Sequence, residues 1–180
     1  MIDKTVIVGH GSSLVDRRLG EYIDSFRYVI RFFHSPGWQT PIDYGTKVSY
    51  YCATNAKAKL LLNMPKPDIK YFIWSKHNRV ASFGEDETEL ICSWQSRLPK
   101  GTYPYLSQGT SGICIATSEI GKPVVVLGCD ALKVGEPDST KYIRADGKTY
   151  RKTSRWHSFD AERKLVNAMS AEYDVNVEFK

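Results

Sequence analysis

The stretch V-I-V-G-H-G-S-S, residues 6–13, decides the fold that this sequence predicts. Its apolar, β-branched start predicts a buried parallel strand, and Gly9 ends that strand in a loop where backbone can approach a ligand. In open α/β sheets, ligands bind at such strand ends. A strand also meets a glycine at many tight turns, so the loop by itself leaves both interpretations open.

Length and composition predict a soluble, single-domain protein over residues 1–180. Of the 180 residues, 42% are hydrophobic and 25% are charged, and the formal net charge is +5. The mean hydropathy is −0.37, and no stretch approaches the roughly 20 apolar residues of a membrane-spanning helix. No basic and then apolar leader precedes the first strand, which indicates the cytoplasm.

The cysteines stand singly along the chain and form no CxxC pair. This spacing disfavours a zinc site and a disulfide scaffold. We therefore expect the cysteines to be small buried hydrophobes. They are Cys52, Cys92, Cys114 and Cys129.

Hydrophobic periodicity and turn residues predict alternating strands and helices along the rest of the chain. Apolar or β-branched runs predict strands over residues 28–33, 47–53, 71–74, 123–128 and 175–179. Helical patterns cover residues 55–63, 86–98, 155–172 and a segment of about ten residues that ends at Gly121. This order predicts an α/β fold with a mostly parallel sheet and helices on both faces.

The block L-S-Q-G-T-S-G-I-C-I-A, residues 106–116, is the second informative stretch. A turn rich in glycine and hydroxyl groups opens its helix, whose first N–H groups and positive dipole suit a phosphate. The glycine loop of residues 9–13 lacks the third glycine of the dinucleotide fingerprint, and the chain has no G-x-x-x-x-G-K-[ST] motif. Nicotinamide enzymes and P-loop enzymes are therefore disfavoured.

The polar residues 133–155 cannot form a core. Their composition predicts a long excursion of the chain outside the core, that is, a long loop of a kind that often serves as a lid or binding loop. Basic residues concentrate there and just beyond. They form either a solvated face or a surface that attracts phosphate-bearing substrates or nucleic acid. The basic residues are Lys141, Arg144, Lys148, Arg151, Lys152, Arg155, Arg163 and Lys164.

His157 is the candidate catalytic residue, because it stands between this excursion and a helix start, with Glu162 further along the same helix. A neutral imidazole can take a proton from an acceptor hydroxyl. A hydrogen-bonded histidine that caps the helix is the alternative. His10, inside the glycine loop, could face a ligand, whereas His34 and His77 fit ordinary loops.

Three blocks of the chain, taken together, carry a family resemblance. They are V-I-V-G-H-G-S-S-L with I-D-S-F-R-Y-V-I-R and I-D-Y-G-T-K after it, then Q-G-T-S-G-I-C-I-A running to V-V-V-L-G-C-D, and H-S-F-D-A-E. In this order they resemble the large, small and very small sialyl motifs of the animal-type sialyltransferases, glycosyltransferase family 29. The short chain resembles a microbial or viral relative of that family, whose donor sugar need not be sialic acid.

The resemblance implies a single Rossmann-like domain, a GT-A-like variant, that uses a CMP-sugar as donor substrate in a metal-independent inverting transfer without a cofactor. It implies a nucleotide-contacting loop made of Gly9, His10, Gly11, Ser12 and Ser13. It implies a turn for the donor's ribose and phosphate made of Thr110, Ser111 and Gly112. His157 matches the general base of the family, and Glu162 matches the glutamate that supports it.

The chain departs from the family pattern at several positions. Ser13 and Phe33 stand where asparagines are expected, which bears on the recognition of cytidine and phosphate. Thr5 stands at the first position of the family's cysteine pair, and the loss of that pair fits a reducing cytoplasm. Residues 139–150 contain no counterpart of the family's third-motif histidine. The side chains that could contact the phosphate instead are Lys141, Tyr142 and Arg144.

Three functions stay open at the level of sequence. The first is a glycosyltransferase in the cytoplasm of a bacterium or a virus-infected host cell, with a glycan or its precursor as acceptor. The second is the same transfer to hydroxymethylated bases of DNA, which only the basic residues support. The third is a non-catalytic module that binds a nucleotide or nucleic acid. The sequence leaves the oligomeric state undetermined.

Overall fold

A computed structural model of the chain describes residues 1–32, 40–54, 70–74, 94, 96–97, 106–132, 141–143, 149–151, 153–154 and 157–180. Its main feature is a six-stranded sheet in which all neighbouring strands are parallel. In spatial order the strands are β10 (Val177–Phe179), β5 (Val124–Leu127), β1 (Ile2–Val8), β2 (Phe26–Phe32), β3 (Tyr50–Thr54) and β4 (Lys70–Trp74).

The strand β1 occupies the middle of the sheet, where the sequence predicted a buried parallel strand. Val6, Ile7 and Val8 are fully buried because β2 and β5 flank the strand and helices cover both of its faces. The strand ends at Val8, directly before Gly9. The prediction from the apolar run and its glycine is therefore confirmed.

Helices pack on both faces of the sheet, as the order of elements predicted. The helices α1 (Gly20–Asp24) and α2 (Pro41–Tyr44) contribute Ile23 and Tyr44 to a core on the face of Val6 and Val8. The helices α3 (Gln108–Ile115) and α4 (Phe159–Glu172) build the larger core on the face of Ile7. Alternate side chains of one strand thus belong to two different cores.

The segment between Ser107 and Leu127 forms the predicted loop, helix and strand. Ser107 caps α3, and a π-helical segment, Ala116–Ile120, continues it. Gly121 ends the helix in the left-handed conformation with φ of 62°. The strand β5 then leads back through the sheet to Gly128.

The third strand begins later than the sequence predicted. The apolar pattern placed its start at Lys47, but β3 begins at Tyr50. The Asp24 carboxylate accepts hydrogen bonds from the backbone N–H groups of Thr46 and Lys47, with an N to O distance of 2.9 Å for Lys47. Because these N–H groups donate to Asp24 in α1, they are not available to pair with β2.

The described residues between 133 and 155 form short strands, which the prediction of a long excursion did not include. The strand β6 (Lys141–Ile143) pairs antiparallel with β7 (Thr149–Arg151), and β8 (Thr153–Ser154) pairs with β9 (His157–Ser158). The last helix begins at Phe159 and not at residue 155, because His157 and Ser158 belong to β9.

The final strand was predicted over residues 175–179, and β10 covers its last three residues. The helices predicted over residues 55–63 and 86–98 lie outside the described residues, apart from Trp94, Ser96 and Arg97. The predictions for Phe33, His34 and His77 also lie outside them. In the described part of the chain, no helix is long and apolar enough to cross a membrane.

Two of the cysteines, Cys52 and Cys114, are buried as predicted, and Cys129 is partly buried. Burial raises the pKa of each of these thiols to about 12. Their thiols therefore stay protonated near neutral pH and pack as apolar groups. Cys92 lies outside the described residues.

Candidate active site

The candidate site lies between β1 and β5, at the topological switch point of the sheet. From β1 the chain builds β2, β3 and β4 on one side, and it then places β5 on the other side of β1. In open α/β sheets, ligands bind at the carboxyl ends of the strands beside such a switch point. The loops after β1 and β5 meet at this point, and both predicted donor-binding blocks lie beside it.

The loop after β1 is held directly against the loop after β5. The N–H groups of Gly9 and Gly11 donate to the carbonyls of Leu127 and Gly128, each at 2.7 Å. A Cβ atom on Gly9 would lie 2.2 Å from the Gly128 oxygen. Only glycine permits this approach of the two backbones, which explains why the predicted loop breaks the strand with glycine.

Asp130 fastens the same loop through Ser13. The Ser13 N–H donates to Asp130 Oδ2 at 3.2 Å, and the Ser13 hydroxyl donates to Asp130 Oδ1. A Cβ atom on Gly11 would overlap the carboxylate, 2.2 Å from Oδ2. Asp130 is not among the residues predicted for the site, although its place after a buried strand and a glycine, in V-V-V-L-G-C-D, was a usable signal.

Tyr44 supports the loop from the other side. Its hydroxyl donates to the Gly11 carbonyl at 3.3 Å. Burial, followed by the negative charges of Asp43 and Asp130, raises the pKa of Tyr44 to about 12. The phenol therefore keeps its proton near neutral pH and remains a hydrogen-bond donor.

The start of α3 forms the second part of the site. The Ser107 side chain accepts the N–H of Thr110 at 3.2 Å and lies 3.1 Å from the Thr110 hydroxyl. Within the described residues, the N–H groups of Gln108 and Gly109 make no hydrogen bond to the protein. Such amides at a helix N-terminus can bind an anion.

Ser111 adds a buried hydroxyl to this helix start. The residue is 3% exposed, and its Oγ has no hydrogen-bond partner in the described part of the chain. A buried hydroxyl without a partner costs stability. Thr5 Oγ1, in the middle of β1, is likewise buried without a hydrogen-bond partner in the described part of the chain.

Glu162 ties α4 to the start of α3. Its side chain is fully buried, and its Oε2 accepts the Ser107 N–H at 2.9 Å and the Thr110 hydroxyl at 2.5 Å. The family resemblance assigned Glu162 to the support of His157. These contacts place its carboxylate against the turn that the resemblance assigns to the donor.

The structure describes only the backbone of His157, in β9 directly before α4. Its role as the base therefore stays a prediction. Of the basic residues between 141 and 155, the structure describes the backbone of Lys141 and Arg151, whereas Arg144, Lys148, Lys152 and Arg155 lie outside the described residues. Beyond them, Arg163 pairs with Asp160 at the surface, and Lys164 is exposed.

Phe32, the last residue of β2, connects the two predicted donor-binding blocks. The His10 ring lies beside it, with 6.0 Å between the ring centroids. A Cβ atom on Gly112 would lie 3.2 Å from Phe32 Cε1. Gly9–Ser13 and Thr110–Gly112 therefore both lie beside Phe32, at the carboxyl ends of the strands.

The described His, Cys, Asp and Glu side chains form no group of three that could hold a metal ion. The groups gathered at the site are instead glycines, hydroxyls, N–H groups and two carboxylates. This composition suits a ligand with phosphate and hydroxyl groups.

Comparisons with known proteins agree with the architecture. No protein-family model and no curated protein match the chain. The crystal structure of a mammalian sialyltransferase is similar, with a TM-score of 0.57 and 15% identity over 98% of this chain and 68% of that one. The fold is sialyltransferase-like.

A second crystal structure of a mammalian sialyltransferase, in complex with Gal-beta-1-3GalNAc-ortho-nitrophenol, has a TM-score of 0.55. It is also 15% identical, over 98% of this chain and 69% of that one. These likenesses confirm the fold that the three sequence blocks predicted. The donor, the acceptor and the residue roles stay predictions.

Proposed function

We propose that this chain is a glycosyltransferase that moves a sugar from a CMP-activated donor to an acceptor hydroxyl. The observation that carries the proposal is that Gly9–Ser13 and Thr110–Gly112 both lie beside Phe32, at the switch point of a sialyltransferase-like sheet. Two blocks that lie about a hundred residues apart in sequence, and that resemble donor-binding motifs, come together where α/β sheets bind ligands.

The start of α3 binds the donor phosphate. The N–H groups of Gln108 and Gly109 and the positive helix end offer hydrogen bonds and favourable charge to a phosphate. The Ser111 hydroxyl belongs to the same turn. These groups stabilise the negative charge that develops on CMP as it leaves.

His157 acts as the general base. The acceptor oxygen forms a bond to the anomeric carbon while the bond from that carbon to the phosphate oxygen breaks and its electron pair leaves with CMP. The acceptor proton moves to the His157 imidazole, and the anomeric centre inverts. Glu162, on the helix that follows His157, holds the donor turn in place through Ser107 and Thr110.

A glycan is the favoured acceptor, because one of the similar structures is a complex with Gal-beta-1-3GalNAc-ortho-nitrophenol. Transfer to hydroxymethylated DNA and a non-catalytic binding module are the other candidates. Binding to DNA would weaken steeply as the salt concentration rises. A transfer activity on a small glycan that does not change with salt would eliminate the DNA acceptor.

Ligand binding and transfer test the proposal in two steps. CMP raises the melting temperature of the full chain more than UMP, GDP or AMP does, because a ligand of the native state stabilises it. The wild type then transfers sugar from a CMP-sugar to glycans, and His157→Ala loses the transfer while it retains CMP binding. Full activity of His157→Ala would disprove the assigned base, and binding of CMP without any transfer would favour the binding module.

A further inference from the structure

Asp130 stands at the switch point, on the loop directly after β5, and its carboxylate faces the loop after β1. Both carboxylate oxygens accept from one residue, Ser13, which lies 117 positions earlier in the chain. Gly11 lies against the same carboxylate, because it has no Cβ atom to fill that space. The Asp130 side chain therefore occupies the gap between the two loops.

The contact uses every hydrogen-bond donor of Ser13. Its N–H and its hydroxyl proton both go to Asp130, so neither is directed to a ligand. Ser13 itself is exposed, and the carboxylate is partly exposed. The pair thus fixes the path of the loop at the surface of the site, while Tyr44 and Gly128 hold Gly11 from the protein side.

We propose that Asp130 is a positioning residue for the donor nucleotide, and that it acts through Ser13 by holding the Gly9–Ser13 loop in its binding conformation. This inference rests on the proposed function, since it takes that loop as a wall of the CMP site. Ser13 then serves the site by anchoring the loop, and the family's expected asparagine contact at this position is replaced by an internal one.

A double-mutant cycle on the full chain separates this role from a direct contact between Asp130 and the nucleotide. The variants are Asp130→Ala, Ser13→Ala and their combination, and the measurement is the CMP dissociation constant by calorimetry. Ser13→Ala removes the hydroxyl contact and weakens CMP binding about tenfold, as expected for one lost hydrogen bond to a charged group. Asp130→Ala also removes the acceptor of the Ser13 N–H, so it weakens binding at least as much, and the double variant is no weaker than Asp130→Ala alone.

Additive losses, about a hundredfold in the double variant, would mean that Asp130 contacts CMP directly and would overturn the proposal. Unchanged binding by Asp130→Ala would overturn it as well. Ser13→Thr keeps both donors and weakens CMP binding less than Ser13→Ala does. Asp3→Ala is the matched control, since Asp3 lies at the opposite end of β1 and pairs with Arg27 and Lys122.

The same cycle, measured as the free energy of unfolding without ligand, reports whether Ser13 and Asp130 are coupled in the free protein. If the wild type does not bind CMP, the proposed function fails, whatever this coupling is. If the wild type binds CMP and the Asp130 and Ser13 variants bind it equally well, the proposed function stands and the positioning role fails.

Discussion

Two carboxylates hold the two halves of the candidate site, and they do so in the same way. Asp130 accepts one backbone N–H and one hydroxyl from Ser13, and Glu162 accepts one N–H and one hydroxyl from Ser107 and Thr110. They differ in burial, since Glu162 is fully buried and Asp130 is partly exposed. The comparison separates a contact that stabilises the fold from one that mainly shapes a surface loop.

The burial difference predicts unequal losses of stability. Glu162→Ala leaves the Ser107 N–H and the Thr110 hydroxyl without their acceptor inside the protein, and it lowers the free energy of unfolding by about 3 kcal/mol. Asp130→Ala lowers it by about 1 kcal/mol, because water can replace the lost acceptor at a partly exposed site. Urea unfolding of the two variants measures the difference.

Glu162→Gln serves as the control, since it keeps one oxygen as an acceptor and loses less stability than Glu162→Ala. Equal losses for Glu162→Ala and Asp130→Ala would contradict the comparison. If a Glu162 variant keeps the wild-type CMP affinity but shifts the pH profile of transfer, Glu162 supports His157, as the family resemblance implies.

A methyl group at Gly11 tests the space that the Asp130 carboxylate fills. Gly11→Ala places Cβ against Asp130 and lowers the free energy of unfolding by about 2 kcal/mol, the usual size of an overpacking cost. In an Asp130→Ala background the same substitution costs less, because the overlapping group is gone. Urea unfolding measures both costs. If Gly11→Ala lowers the free energy of unfolding equally in the wild type and in Asp130→Ala, the carboxylate is not what the added methyl group overlaps.

The buried hydroxyls of Thr5 and Ser111, which have no hydrogen-bond partner in the described part of the chain, extend the comparison from carboxylates to neutral groups. Thr5→Val removes Oγ1 from the middle of β1 and raises the free energy of unfolding by about 1 kcal/mol with unchanged CMP affinity. Ser111→Ala raises it similarly but weakens CMP binding, because Ser111 lies in the donor turn. Thermal unfolding and calorimetry measure the two effects, and equal CMP affinities for both variants would remove Ser111 from the proposed site.

Local pattern was enough to predict the centre of the fold. The runs before Gly9 and Gly128 are apolar and β-branched, and each became a buried strand that ends at its glycine. The same reasoning misplaced the start of β3, because Asp24 takes the Lys47 amide. No periodicity within the segment carries that information, since the competing acceptor lies 23 positions away.

The site was predicted less completely than the fold for the same reason. The glycine loop and the turn at Thr110–Gly112 are visible as short motifs, so the sequence could predict them. The partners that hold them are distant in sequence: Asp130 lies 117 positions from Ser13, and Glu162 lies 55 positions from Ser107. The family resemblance named Glu162 but not its contacts, and it included Asp130 in its second block without a role.

The smallest expected effect concerns the charge of Asp130 and its action on Tyr44. Folding raises the pKa of Tyr44 from 10.0 to about 12, through burial first, then Asp43 and then Asp130. The unfolded chain therefore loses this proton at lower pH than the folded protein, and the free energy of unfolding falls as the pH rises from about 10 to about 12. Tyr44→Phe removes this part of the pH dependence.

Asp130→Asn lowers the Tyr44 pKa only slightly, because Asp130 is the last of the three causes. Ultraviolet titration of the phenols in the wild type, Asp130→Asn and Tyr44→Phe measures that shift. Glu162→Gln is the matched control, since Glu162 is not among the groups that raise the Tyr44 pKa. A shift with Glu162→Gln and none with Asp130→Asn would contradict the comparison, because the charge of Asp130 acts at the β1 loop and that of Glu162 at the start of α3.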